Sequence, residues 1–551
     1  MTLAARRSAA STSGALRDHW PGEERLLGVA LIAHVAVALG LRHFPYQDVP
    51  NHLARYTLIA RAWAGTAPAW IDVHLQPTSY VALDLLGAAL VATVGALATE
   101  RVFALIAAVA LPVGMYLLLR AVAPAQRGWA IVGVLLSFSA FFLSGFLNYV
   151  TGIGCAFVWL AVWWPRRRTT AWSTRGGLAL GLVALFILHL SAPLVALFVV
   201  GLDLVWTSGR SWSPAGTARE SGVAPRATGL AAARPQLATL GVCVAVLGAV
   251  WGTVAIVGSA SIPPILDPVP VVPDPAILFR TPTSKLLALA TPFYSLSIPE
   301  LLLMTAAYGT ALVLYLARQG RETFTHPLTV AALGFLALYV AWPMTIGAVR
   351  AVDARWLLPA YLLLFCGAAR PERAPSAGVL VAVTTLVVLH AGLVWQIGRR
   401  IDRDLDAFDR VLARVPPGAR VLPLVTAVAR YGPRVSPYRH YAMWHLVRTG
   451  GRVAGLFAAN GLFDDGYPYT HMAHVRERAR VYYPNEDWGV RVFTALPWPR
   501  IRRDFDYIVQ AGDDDARVRA AIAPYARPVF RDGDVTAYAV GSGGAAALPA
   551  R

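Results

Sequence analysis

The stretch Gln47-Asp48-Val49-Pro50-Asn51-His52-Leu53-Ala54-Arg55 sets a carboxylate, an imidazole and a guanidinium close together, directly after the first apolar segment of the chain. A carboxylate facing an enclosed polar cavity acts as a general base, taking the proton of an attacking hydroxyl. Asp48 is therefore the expected catalytic residue. The competing role for Asp48 or Asn51 is a helix N-cap, because Pro50 and Asn51 favour a turn that leads into a helix. His52 and Arg55 fall on the first turn beyond it and are expected to meet substrate. His52 reads either as a second acid/base or phosphate donor, or as an interface histidine bonded to backbone.

A second cluster is Arg350-Ala351-Val352-Asp353-Ala354-Arg355-Trp356-Leu357-Leu358-Pro359. Arginines at a helix mouth suit a lipid-linked phosphate, since guanidinium stays charged and presents forked donors. Arg350 and Arg355 are thus expected substrate-binding residues. Set against this is a surface pair of Asp353 with Arg350 or Arg355, or arginines reaching for lipid headgroups. Asn148, within Gly145-Phe146-Leu147-Asn148-Tyr149, and His189 interrupt apolar sequence and join the expected substrate site. Intramembrane polar residues point to function by default, although such side chains also hold neighbouring helices together. Asp464-Asp465, His471 and His474 lack a further spaced ligand, so they read as a solvated loop and no metal is indicated.

The elements that must position these residues are membrane helices. Hydrophobic residues make up 56% of the 551, charged ones 15%, and mean hydropathy is +0.53, which excludes an ordinary soluble protein. Cys155, Cys243 and Cys366 all lie in apolar runs, where a thiol behaves as a small hydrophobe. The net charge of +18 is almost all arginine and sits largely in short loops, a mark of topology; nucleic acid is not an expected partner.

Apolar segments occur at 26–42, 80–98, 102–121, 129–145, 148–164, 177–206, 237–258, 299–317, 327–343, 355–370 and 376–397. The 177–206 run is too long for one crossing and should break at His189-Leu190-Ser191-Ala192-Pro193. The first run is expected to be retained as a span, with no cleavage site after it. Arginine loops at 166–175, 210–234, 318–321 and 370–373 should stay cytoplasmic, which puts Asp48, Asn148, His189 and the 344–354 loop together on the opposite face. That parity requires an odd number of crossings, whereas the segments give twelve. One segment between 80 and 145 is therefore interfacial, re-entrant or split differently, and 11–13 spans are expected.

Leu53, Tyr56, Ile59, Ala60 and Trp63 recur at helical spacing, as in an amphipathic helix in the membrane interface anchored by Trp63 and Trp70. From Arg399 the composition shifts to mixed α and β patterns: strands over 419–425, 505–510 and 535–540, helices over 441–449 and 517–526. The expected organisation is a cytoplasmic tail (1–25), a polytopic α-helical transmembrane module (26–397) with its first external loop at 43–79, an external soluble α/β domain (398–541) and a disordered tail (542–551).

This layout resembles the GT-C superfamily of integral membrane glycosyltransferases. Asp48 matches the acidic residue of that superfamily's first external loop, and Arg355-Trp356-Leu357-Leu358-Pro359 is similar to an Arg-aromatic-x-x-Pro pattern of its late helices. The break at His189 to Pro193 looks like the kinked pair that carries a basic residue towards the donor phosphate. The resemblance covers most of 26–397. It implies a polyprenyl-phosphate sugar as donor, inversion at the sugar carbon, a glycan, lipid or protein acceptor, and an external site on the plasma membrane. Two departures stand out: Asp48 has Gln47 and Val49 beside it where many relatives carry adjacent acids, and a metal-binding acidic pair in the second loop is not evident. Other functions for such a layout are a lipid or polysaccharide transporter or flippase, or a non-catalytic assembly partner; the first more often shows internal repeats.

Overall fold

Long apolar runs fold as helices because hydrocarbon offers backbone amides no partner outside the segment itself. The computed structural model of the chain describes residues 20–68, 71–73, 79–210, 230–260, 277–293, 296–346, 351–425, 436–454, 474–475, 498–512 and 516–541. Its helices of ten residues or more are α1 (Trp20–Gly40), α2 (Val49–Trp63), α3 (Val81–Val94), α4 (Ala96–Val122), α5 (Leu147–Arg166), α6 (Trp172–Leu188), α7 (Ser191–Arg210), α8 (Leu230–Ala260), α9 (Ile298–Gln319), α10 (Pro327–Ala341) and α11 (Ala377–Leu412).

Among the described residues, seven helical stretches are long and apolar enough to cross a membrane: α4, Pro124–Leu143, α5, and parts or all of α7, α8, α9 and α11. The shorter α3, α6 and α10 are also apolar. The chain is thus a polytopic helical membrane protein with a small sheet near its C-terminus. Apolar side chains such as Ile32, Leu180, Val313 and Val340 point outward from these helices, as a hydrocarbon surround requires. The break expected in the 177–206 run is present: α6 ends at Leu188, His189 is extended, and α7 starts at Ser191.

Two segments are not simple spans, the first of them within the 80–145 region where one irregular segment is expected. Pro124–Leu143 is broken into a 3-10 turn and two short helices and lies wholly inside the protein. The 355–370 segment forms only a 3-10 turn and the helix Leu357–Leu363, far short of the roughly 20 residues a span needs. Neighbouring helices enclose both, so neither has to satisfy lipid by itself.

Helix α5 is 20 residues long, about 30 Å, enough to reach across a bilayer core. At its C-terminal end the loops rich in arginine meet one another: Trp164 stacks on His326, Gln126 donates to the carbonyls of Arg370 and Arg373, and Arg318 donates to that of Ala374. At its N-terminal end lie Asp48, His189 and Arg355.

Helix α2 is present, but it does not keep one wet face. Residues 49–51 and 53–59 are all buried, because α3 and α4 cover one side and the short helix Met443–Thr449 of the C-terminal region covers another. Tertiary packing has used the polar face that a sequence pattern assigns to water. Trp63 remains half exposed, and Trp70 lies outside the described residues.

At 36 residues α11 would run about 54 Å, well beyond a hydrocarbon core of about 30 Å. It continues unbroken through residue 398, where composition changes, and its last turns hold the first loop. Asp402 accepts from the backbone amides of Arg42 and His43, Asp406 and Asp409 pair with the Arg42 side chain, and Asp409 also accepts from Tyr441. The C-terminal sheet has the order β5-β4-β7-β9-β8, from β4 (Arg420–Val425), β5 (Arg452–Val453), β7 (Tyr507–Ala511), β8 (Ala526–Asp532) and β9 (Val535–Val540). Strands β4, β5 and β7 are parallel; β9 runs antiparallel between β7 and β8. Two-residue pairings add β1 (Ile71–Asp72) to β6 (His474–Val475), and β2 (Ile277–Leu278) to β3 (Thr345–Ile346).

Candidate active site

Asp48 stands at the N-terminus of α2 yet its side chain makes no capping hydrogen bond. The capping role therefore does not consume this carboxylate. Instead Oδ1 accepts from Gln47 Nε2 at 3.1 Å and lies 3.5 Å from His440 Nε2. Asn51 holds the other ring nitrogen of His440 at 3.1 Å, and Ser436 N donates to Gln47 Oε1. Asp48 is 8% exposed, so these groups from the C-terminal region form a roof over it.

The floor is the turn that opens α5. Gln47 N donates to Leu143 O and Asp48 N to Ser144 O. Gly145 follows at φ +88°, where a Cβ would come within 2.9 Å of Val49 N and 3.0 Å of the Asp48 Cβ. Glycine is required there twice over, by conformation and by space. Gly145→Ala should cost about 1–3 kcal/mol and displace Asp48; a thermal melt in detergent together with an activity assay checks both. An unchanged melt would show that the turn relaxes around the methyl group.

The same turn reaches the second cluster. The Phe146 ring lies 5.3 Å from the Arg355 guanidinium, and Tyr149 Oη donates to the Arg355 carbonyl. Tyr149 also meets His189 edge-on at 5.4 Å, and Tyr80 meets His189 at 5.0 Å. His189 Nδ1 accepts from Ser191 N, which closes the break between α6 and α7. Five residues, 145–149, thus connect the acid to the cation and to the histidine.

Three expectations change. Arg55 is not turned to a substrate: it is 1% exposed and its Nη2 lies 2.6 Å from Asp84 Oδ2, itself 2% exposed. A guanidinium that far from water takes the nearest carboxylate, here from the first turn of α3. The suspected pairing of Asp353 with its neighbouring arginines is absent for Arg355. Asp353 Oδ2 is held by Arg280 at 2.9 Å and Lys285 at 3.2 Å, while Oδ1 caps Ala354 N. Arg355 is thereby not neutralised by Asp353. His52 is kept neutral, since burial and the charge of Arg55 push its ring down to about 4. Asn148 lines a narrow cavity with His52. Arg350, Asp464, Asp465 and His471 lie outside the described residues, and among those described no cluster of His, Cys, Asp and Glu is fit to hold a metal.

Sequence reasoning missed Gln47, Glu100 and His440. The only available signal for His440 was the aromatic and basic run Tyr438-Arg439-His440-Tyr441. Burial, with Arg439 and His52 adding repulsion, holds the His440 ring well below its ordinary 6.5. A base whose folded pKa is depressed contributes stability in full above 6.5; that stability is lost as pH falls below 6.5 and only the undocked segment takes up the proton. The opening free energy of 436–441, measured by hydrogen exchange corrected for the intrinsic rate at each pH, should therefore fall below pH 6.5, by up to about 1.4 kcal/mol per pH unit. His440→Gln should flatten that response, and an identical pH profile in the variant would exclude His440 as its source.

The fold and site together define a helical membrane protein whose C-terminal segment closes over a buried acid. No protein-family model matches the chain, and no curated protein matches it. Among solved structures, one described as the crystal structure of ArnT from Cupriavidus metallidurans in the apo state is similar, at TM-score 0.48 and 14% identity, covering 96% of this chain and 98% of that one. A likeness of that degree is one of outline and carries no functional argument.

Proposed function

We propose that the chain is a membrane glycosyltransferase that moves a sugar from a polyprenyl-phosphate donor to an acceptor hydroxyl at the outer face of the membrane. The observation that carries this reading is the turn 145–149, which connects the buried Asp48 carboxylate to a buried histidine and to the Arg355 guanidinium. Asp48 takes the acceptor proton as the acceptor oxygen bonds to the anomeric carbon. The bond from that carbon to the phosphate oxygen breaks with inversion, and the electron pair leaves on the polyprenyl phosphate. Arg355 stabilises the charge that develops there, and fixed cations in a site poor in water supply most of the rate enhancement in such catalysis. His189, with its ring buried between Tyr80 and Tyr149, orients the same phosphate. Asn148 and neutral His52 contact the sugar, and Arg350 serves as a second phosphate cation. Arg55 supports the site through its pairing with Asp84.

The domain organisation belongs to the same reading, with 26–397 as the catalytic module and 398–541 as an external domain on the plasma membrane. Protein reconstituted in vesicles with a radiolabelled polyprenyl-phosphate sugar tests it. Release of polyprenyl phosphate and labelling of an acceptor support transfer. Movement of intact lipid-linked sugar across the bilayer without release would instead establish a flippase, and neither result would leave an assembly role.

A further inference from the structure

Glu100 is a buried acid that the proposed chemistry does not use. It sits one turn into α4, is 7% exposed, and makes no hydrogen bond or ion pair among the described residues. Its neighbour Arg101 points outward to the surface. A carboxyl group buried without a hydrogen-bond partner costs free energy in either protonation state, so this one is placed to take a partner from elsewhere.

Glu100 faces a narrow cavity that it lines together with His52, Tyr56, Phe103, Gly145 and Asn148. That cavity lies against the turn that supports Asp48, since Gly145 is common to both. The Tyr56 and Phe103 rings, 5.5 Å apart, offer apolar faces, and Asn148 offers a carboxamide. Nearby Tyr46 is 1% exposed, and its hydroxyl has no hydrogen-bond partner among the described residues. The cavity is wide enough for about one water-sized group, which matches a single hydroxyl reaching in from a ring seated outside it. A metal ion fits poorly, because no set of metal-ligating residues surrounds Glu100 among the described residues.

We propose that Glu100 is a specificity-determining residue that accepts a hydrogen bond from one ring hydroxyl of a sugar held beside Asp48, an inference that rests on the sugar-transfer reading. The sugar is either the donor's or the acceptor's, and the shared chemistry is the hydroxyl. A site that must bond a hydroxyl discriminates strongly against an analogue lacking it, because the acceptor is then left buried and unpaired.

The test uses the full chain in lipid nanodiscs with polyprenyl-phosphate hexoses and pentoses and their monodeoxy analogues, comparing wild type, Glu100→Gln and Glu100→Leu. At one ring position, deoxygenation should lower wild-type kcat/KM by about 10- to 150-fold and should leave Glu100→Leu unaffected. A rise in donor KM for Glu100→Gln assigns the hydroxyl to the donor sugar, and a rise in acceptor KM assigns it to the acceptor. Equal responses to every deoxy analogue in all three proteins would overturn the proposal. A second readout needs no turnover: dicyclohexylcarbodiimide labels Glu100, and sugar-bearing lipid, but not polyprenyl phosphate alone, should protect it. Protection without transfer would sink the transfer reading and keep the subsite. Transfer with no protection, or with no labelling of Glu100, would sink the subsite and keep the reading.

Discussion

Asp48→Asn is expected to lower sugar transfer by about 10²- to 10⁴-fold, the range set by loss of a positioned base. Asparagine has the same shape, and its oxygen still accepts from Gln47 Nε2, so the roof of Ser436 and His440 should stay in place. The change should fall on kcat. The donor KM should hardly move, because the donor phosphate is assigned to Arg355 and His189, on the far side of the 145–149 turn. Steady-state kinetics of wild type and variant, with a melting curve for each, make the comparison. A variant that keeps a third of the wild-type kcat with an unchanged melt would remove Asp48 from proton transfer.

The largest effect on stability is expected at Asp84. Replacing Asp84 by asparagine strands the Arg55 guanidinium, which is 1% exposed, and breaking a buried pair from one side costs about 3–5 kcal/mol. That is a large share of the roughly 5–15 kcal/mol by which a typical domain is stable. Replacing both partners together, Arg55→Leu with Asp84→Leu, removes the charges that need compensation and should recover most of the loss. Detergent melts of the single and double variants decide the matter. The double variant also separates two roles for Arg55. If it folds and transfers sugar at the wild-type rate, Arg55 acts only by holding α2 to α3; if it folds and is inactive, the guanidinium does more than pair with Asp84.

Much of this architecture was legible in local patterns. Hydrophobic runs mark the helices, because hydrocarbon demands about 20 apolar residues in a row. The break at His189 follows from a run too long for one crossing with a proline four residues on. In the C-terminal region, the strand expected at 535–540 is observed at Val535–Val540, and that expected at 419–425 is observed at Arg420–Val425. The place of β9 was not legible: a strand that looks terminal in sequence lies inside the sheet between β7 and β8. Strand patterns fix which residues alternate, and they carry no information on which partner a strand finds.

The amino-acid sequence by itself determined that this is a polytopic membrane protein, where most of its apolar helices lie and where one long run breaks, and that an acid stands just past the first helix. All of these follow from interactions within a few residues, between a side chain and the solvent or lipid that its own segment meets. Tertiary structure alone decided how each buried polar group is spent: Arg55 on Asp84, Asp353 on Arg280 and Lys285, and Asn51 on His440, 389 positions away. It also left Glu100 facing a cavity. A buried charge takes whichever opposite or polar group packing brings within about 4 Å, and that depends on which helices touch, a choice made by the whole chain.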